Sequence, residues 1–125
     1  MPLVKKEITL AAGATSEQVL AGTTYEYVGP NTRLVVAAAA DGATAGTIEN
    51  LDFTDVVMNF NVNNAEFARD AAVSGHVTGE PFGWKGNYVM NDMITTAQDR
   101  NRPILTFTNN GGTDRRVNVA VFIGG

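Results

Sequence analysis

Residues 58–63 read Met58-Asn59-Phe60-Asn61-Val62-Asn63, a strict alternation of apolar and amide side chains. A repeat of two places Met58, Phe60 and Val62 on one face of a strand and the three asparagines on the other. The C-terminal stretch repeats the pattern, with Val117, Val119, Val121 and Ile123 at every second position. Half-buried antiparallel strands carry this signature. Working outward, Leu3–Leu10 alternates more loosely and Ile104–Thr108 sets Ile104, Thr106 and Thr108 against Leu105 and Phe107. Arg33–Ala39 is an apolar run suited to a strand covered on both sides, and Thr23–Val28 is rich in β-branched and aromatic residues. Clusters such as Gly29-Pro30-Asn31, Asp41-Gly42, Asn63-Asn64 and Asn109-Asn110-Gly111-Gly112 separate the runs, as chain reversals require. The last cluster is expected to close a hairpin between Arg102–Thr108 and Asp114–Ile123.

Two stretches depart from the repeat of two. Asn64–Ala72 has an N-cap residue with Phe67 and Ala71 four apart, which predicts a short helix, and Asn91–Gln98 predicts another helical turn. The expected fold is therefore all-β: an antiparallel two-sheet sandwich, a jelly roll in its finer form, with one or two short helices. Residues 1–125 form a single domain, since a chain of 125 residues falls within the roughly 100–200 typical of one.

Composition removes several function classes. With no cysteine, disulfides and thiolate metal sites are excluded. The formal charge is −4 and the pI about 4.8, which speaks against general nucleic-acid binding. The acid is concentrated early: residues 1–66 carry a net −5 and residues 67–125 a net +1. The apolar runs fall well short of the roughly 18 residues of a membrane span, so no membrane association is expected. Two lysines near the start precede no long apolar stretch, so either synthesis and folding in a cytoplasm or a leader already removed is expected.

Catalysis finds little material. His76 is the only histidine, and Ser16 and Ser74 are the only serines. Ser74 lacks the strand–turn–helix setting of a nucleophile, so the chain reads as a non-enzyme without a cofactor or small-molecule substrate. Glu49, Asp52 and Asp55 could supply oxygens to a hard cation, but their spacing does not match an EF-hand loop, and solvated acids are the plainer reading.

Three groups suggest contact surfaces. Phe82, Trp84 and Tyr88 alternate with glycines, suiting either a stacking platform or a cap over the end of a sandwich. Asn59, Asn61 and Asn63 form a face of three amides, either a plain solvent face or one able to pair with a subunit or polar ligand. Arg100 and Arg102 join Arg115 and Arg116 in the only basic concentration, expected to meet the acidic half of a neighbouring subunit.

The opening Ile8-Thr-Leu-Ala-Ala-Gly-Ala-Thr-Ser-Glu-Gln-Val-Leu20 and the close Ile104-Leu-Thr-Phe-Thr-Asn-Asn-Gly-Gly-Thr-Asp-Arg-Arg-Val-Asn-Val-Ala-Val-Phe-Ile123 resemble the first and last strands of small bacteriophage virion proteins of jelly-roll or sandwich type. The resemblance implies a structural role in the virion, as a capsid, vertex or decoration subunit that assembles with copies of itself and other virion proteins. The chain departs from a typical jelly-roll major capsid protein in its shortness and in having no basic N-terminal arm, which favours a minor or outer position. The alternative from the residues alone is a carbohydrate-binding or adhesion module built on Trp84 and Tyr88.

Overall fold

A computed structural model describes residues 3–29, 32–42, 55–73, 84–89 and 101–123. Seven strands run in the order β1 (Leu3–Leu10), β2 (Arg33–Gly42), β3 (Val56–Val62), β4 (Ala65–Ala72), β5 (Trp84–Val89), β6 (Pro103–Asn109) and β7 (Arg115–Ile123). They form two sheets, one of four strands ordered β1-β7-β2-β5 and one of three ordered β4-β3-β6. Every pairing is antiparallel.

The alternating faces read from the sequence meet in one core. Leu34, Val36, Ala38 and Ala40 of β2 and the odd-numbered residues 117–123 of β7 pack in the same cluster as Met58, Phe60 and Val62 of β3 and Leu105 and Phe107 of β6. The seven side chains that the period of two marks for burial in β3, β6 and β7 (Met58, Phe60, Val62, Phe107, Val117, Val119 and Val121) are all buried. β2 lies between β7 and β5, and its apolar run is covered on the outer side too at Ala37.

Three expectations are corrected. Asn64–Ala72 is not helical: its residues from Ala65 onward form β4, which pairs with β3. Asn63 and Asn64 hold φ values of 50° and 68°, so the chain reverses in two residues and sets Val62 opposite Ala65. Asparagine tolerates this left-handed backbone, and the resulting tight hairpin overrides a short amphipathic pattern. The helical turn expected at Asn91–Gln98 lies outside the described residues, and no helix occurs among those described.

The Gly-rich connection after Asn109 does not close a hairpin. β6 and β7 belong to different sheets, so the connection carries the chain across the core. Both strands bury their odd-numbered residues, and they do so by facing each other across the core rather than pairing edge to edge.

Thr23–Val28 is a series of turns rather than a strand. The Thr23 hydroxyl donates to Leu20 O at 2.8 Å and accepts from Tyr25 N at 3.2 Å, while Gly22 takes φ 75°. Threonine hydroxyls that bond nearby backbone compete with a sheet ladder, and here they win. The wider stretch 13–28 runs beside β6 and meets its backbone at intervals. Gly13 N donates to Asn109 O, Ser16 N to Phe107 O and Val19 N to Leu105 O, and Val28 exchanges two bonds with Asn101.

β1 is an edge strand with Val4 and Ile8 packed against the core. Lys6 shares their face, since it lies midway between them. A charge on the inward side of an edge strand opposes pairing with another chain.

Candidate functional site

The outer face of the three-stranded sheet gathers the amide positions. Asn59 lies opposite Thr106, Asn61 opposite Ile104 and Val57 opposite Thr108 on the neighbouring strands. Residues directly opposite in a sheet share a face. Thr15 continues it, its hydroxyl sharing a hydrogen bond of 3.0 Å with that of Thr108. The outward rows of β3 and β6 thus carry amides, hydroxyls, Ile104 and a buried Val57, with no charged side chain. Charge begins on β4, where Glu66 stands opposite Asn61 and pairs with Arg69 at 3.0 Å.

The two asparagines differ. Asn59 Oδ1 accepts from Asp70 N at 3.0 Å, at a point where the β3–β4 register shifts and Asp70 takes φ 49°. Asn59 therefore holds the bulge of β4. Asn61 Oδ1 is shielded and has no hydrogen-bond partner among the described residues. An amide oxygen left so carries a desolvation cost of about 1–3 kcal/mol unless a further group donates to it.

Arg102 sits at the end of this sheet with Asn63 and with Glu26, Tyr27 and Asn101, which the sequence did not single out. Its guanidinium lies 3.6 Å from Glu26 Oε1 and 5.9 Å from the centroid of the exposed Tyr27 ring. Its backbone N donates to Asn63 Oδ1 at 2.9 Å, and Asn63 Nδ2 donates to Asn101 Oδ1 at 2.8 Å. Asn101 is fully buried and donates through Nδ2 to Val28 O at 3.2 Å. These bonds fasten the Asn63-Asn64 turn and the 26–28 turn to the start of β6. A hollow of about 320 Å³ opens among Asn63, Asn64, Arg102 and Ile104.

At the opposite end of β6, Arg115 donates through Nε and Nη2 to Asp55 Oδ2, at 3.3 and 3.2 Å. Arg115 and Arg102 are thus paired with acids of the N-terminal half inside one chain, where the sequence reading expected partners on another subunit. Asp55, the described member of the candidate cation trio, is held by this guanidinium; Glu49 and Asp52 lie outside the described residues. No group of three or more acidic, histidine or cysteine side chains gathers among the described residues.

Ser16 accepts from Phe107 N at 3.0 Å and donates to Glu17 O at 2.9 Å, so its hydroxyl fastens residue 16 to β6. Ser74, His76, Phe82 and Arg100 lie outside the described residues. The backbone register of β5 sets Trp84 opposite Ala38 and Tyr88 opposite Leu34. No family model, curated protein or solved structure matches the chain.

Proposed function

We propose that the chain is a non-enzymatic structural subunit of a bacteriophage particle, a capsid, vertex or decoration protein with a jelly-roll fold that works by assembling with copies of itself. The observation that carries this reading is the order in which the chain visits the two sheets. A jelly roll pairs its first and last strands and passes repeatedly between facing sheets, with one hairpin inside the second sheet. Here β1 pairs with β7, β2 and β5 follow on the same sheet, and β3–β4 is a hairpin in the other. Residues 13–28 run along the open side of β6, where the eighth strand of a jelly roll belongs.

The uncharged face of Asn59, Asn61, Thr106 and Thr108 supports the choice of contact surface. Centres of protein interfaces are depleted of charge, and closed symmetry repeats each contact around the assembly. Purified particles from the native source test this role. Mass spectrometry is expected to find the chain in fixed stoichiometry with the major shell protein, and its absence from particles overturns the proposal.

A second reading keeps support from one observation. Exposed Tyr27 beside Arg102, itself paired with Glu26, sets an aromatic ring next to polar groups, the combination that stacks on and hydrogen-bonds a sugar. Glycan retention lost in Tyr27→Ala, by a chain that stays monomeric, would favour a carbohydrate-binding module over the virion subunit.

A further inference from the structure

Asn110-Gly111 is the only Asn-Gly pair in the chain, and Asn110 is exposed at the corner between the two sheets. Such a pair is chemically labile. Once deprotonated, the Gly111 nitrogen can attack Asn110 Cγ. The new N–C bond closes a five-membered succinimide, and the side-chain nitrogen leaves as ammonia. Water then opens the ring to aspartate or isoaspartate.

Structure imposes the glycine. A Cβ at residue 111 would sit 2.8 Å from both Cβ and Cγ of Asp55, so only glycine fits against the Asp55–Arg115 pair. The same corner immobilises the nucleophile. Gly111 N donates to Asn109 Oδ1 at 3.0 Å. Asn109 is fully buried, and its Nδ2 donates to Thr113 O at 2.8 Å and to Leu10 O at 3.2 Å, which fixes which side of the amide faces Gly111. On the other side, Asn110 N donates to Asp55 O at 2.7 Å.

We propose that Asn110 is a latent modification site gated by the Asn109 carboxamide, converting to aspartate or isoaspartate only when the 109–114 corner opens. The hydrogen bond to Asn109 Oδ1 withholds the proton whose loss starts the reaction. Opening of the corner releases it. Conversion puts a new carboxylate on the loop that already carries Asp114 and abuts Asp55. In the isoaspartate form it also lengthens the backbone by one carbon, which disturbs the seat of Gly111. The modification is therefore an irreversible record of how often this corner has opened.

The test incubates the purified chain in ¹⁸O water at mildly alkaline pH. Mass spectrometry follows conversion in the peptide that contains Asn110, with the native chain, the guanidinium-unfolded chain and Asn109→Ala run in parallel. Hydrogen exchange of the Gly111 amide is measured on the native chain. The proposal expects native conversion at least roughly tenfold slower than unfolded, since both reactions wait on local opening. It also expects slow Gly111 exchange and faster conversion in folded Asn109→Ala. If Asn109→Ala fails to fold, the native–unfolded comparison and the Gly111 exchange rate decide. Equal native and unfolded rates, or fast native conversion beside a protected Gly111 amide, overturn it.

Discussion

Replacing Phe60 with alanine removes the largest side chain of the central strand of the three-stranded sheet. Phe60 is 1% exposed and belongs to the cluster shared by both sheets. Its ring centroid lies 6.4 Å from that of Phe67 at a tilt of 47°, a geometry favourable to aromatic pairs. A buried Phe→Ala change costs about 3–5 kcal/mol through lost transfer energy and the cavity left behind. About 0.5–1.5 kcal/mol of that belongs to the pair with Phe67 and should appear as coupling in a Phe60/Phe67 double-mutant cycle. For a domain of this size the total lowers the Tm by roughly 10–20 °C. Thr106→Ala, on the opposite face of the same sheet, should stay within about 0.5 kcal/mol of the parent. Urea unfolding of both variants, checked by calorimetry, reads the difference. A Phe60→Ala loss below about 1 kcal/mol, or a Thr106→Ala loss equal to it, would refute the facing of β3 and β6.

Three further outcomes are expected. Gly111→Ala drives Asp55 from its place beside Arg115 and costs about 1–3 kcal/mol, less than a fully buried pair because the Asp55 side chain keeps 23% exposure; the penalty should shrink in an Asp55→Ala background, and equal penalties in the two backgrounds would remove the clash as its cause. Lys6→Val should leave thermal stability unchanged or higher while allowing edge-to-edge association through β1, seen as concentration-dependent light scattering; scattering identical to the parent would show that Lys6 does not guard that edge. Trp84→Ala should lower the Tm if the residue caps the core and should instead weaken assembly at unchanged Tm if it faces a partner, so a melt and a sizing run on one variant separate the two roles of β5.

The parts of the fold that were legible are those governed by local alternation. β3 and β7 declared their buried faces because a repeat of two needs no knowledge of the partner strand. Their partners were not legible. Asn109-Asn110-Gly111-Gly112 has a hairpin's composition, yet the chain uses it to cross between sheets, held by contacts from Asp55, Leu10 and Ala14 far away in sequence. The two-residue turn at Asn63-Asn64 was present in the sequence, but the helical spacing of Phe67 and Ala71 competed with it. Only pairing with β3 decides between them.

The candidate surface divides in the same way. Asn59, Asn61 and Asn63 were read as one face; the structure keeps the first two there, places Asn63 in the turn after β3, and adds Thr106 and Thr108 from the next strand. The Arg102–Glu26–Tyr27 corner was not readable, because it joins residues about seventy positions apart through a turn that the sequence presents as a strand. Arg115 looked available for a neighbour because its acceptor, Asp55, is equally remote.

Sedimentation velocity of the purified chain beside Asn61→Arg tests the central claim, self-assembly through the uncharged face of the three-stranded sheet, most directly. Leu3→Arg, on the outer face of the other sheet where Leu3 is 45% exposed, serves as the comparison. The account predicts a parent and a Leu3→Arg variant that sediment as the same closed oligomer, and an Asn61→Arg variant that sediments as a folded monomer with an unchanged Tm. A parent that stays monomeric at every concentration, or an oligomer that survives Asn61→Arg and is lost in Leu3→Arg, would contradict it.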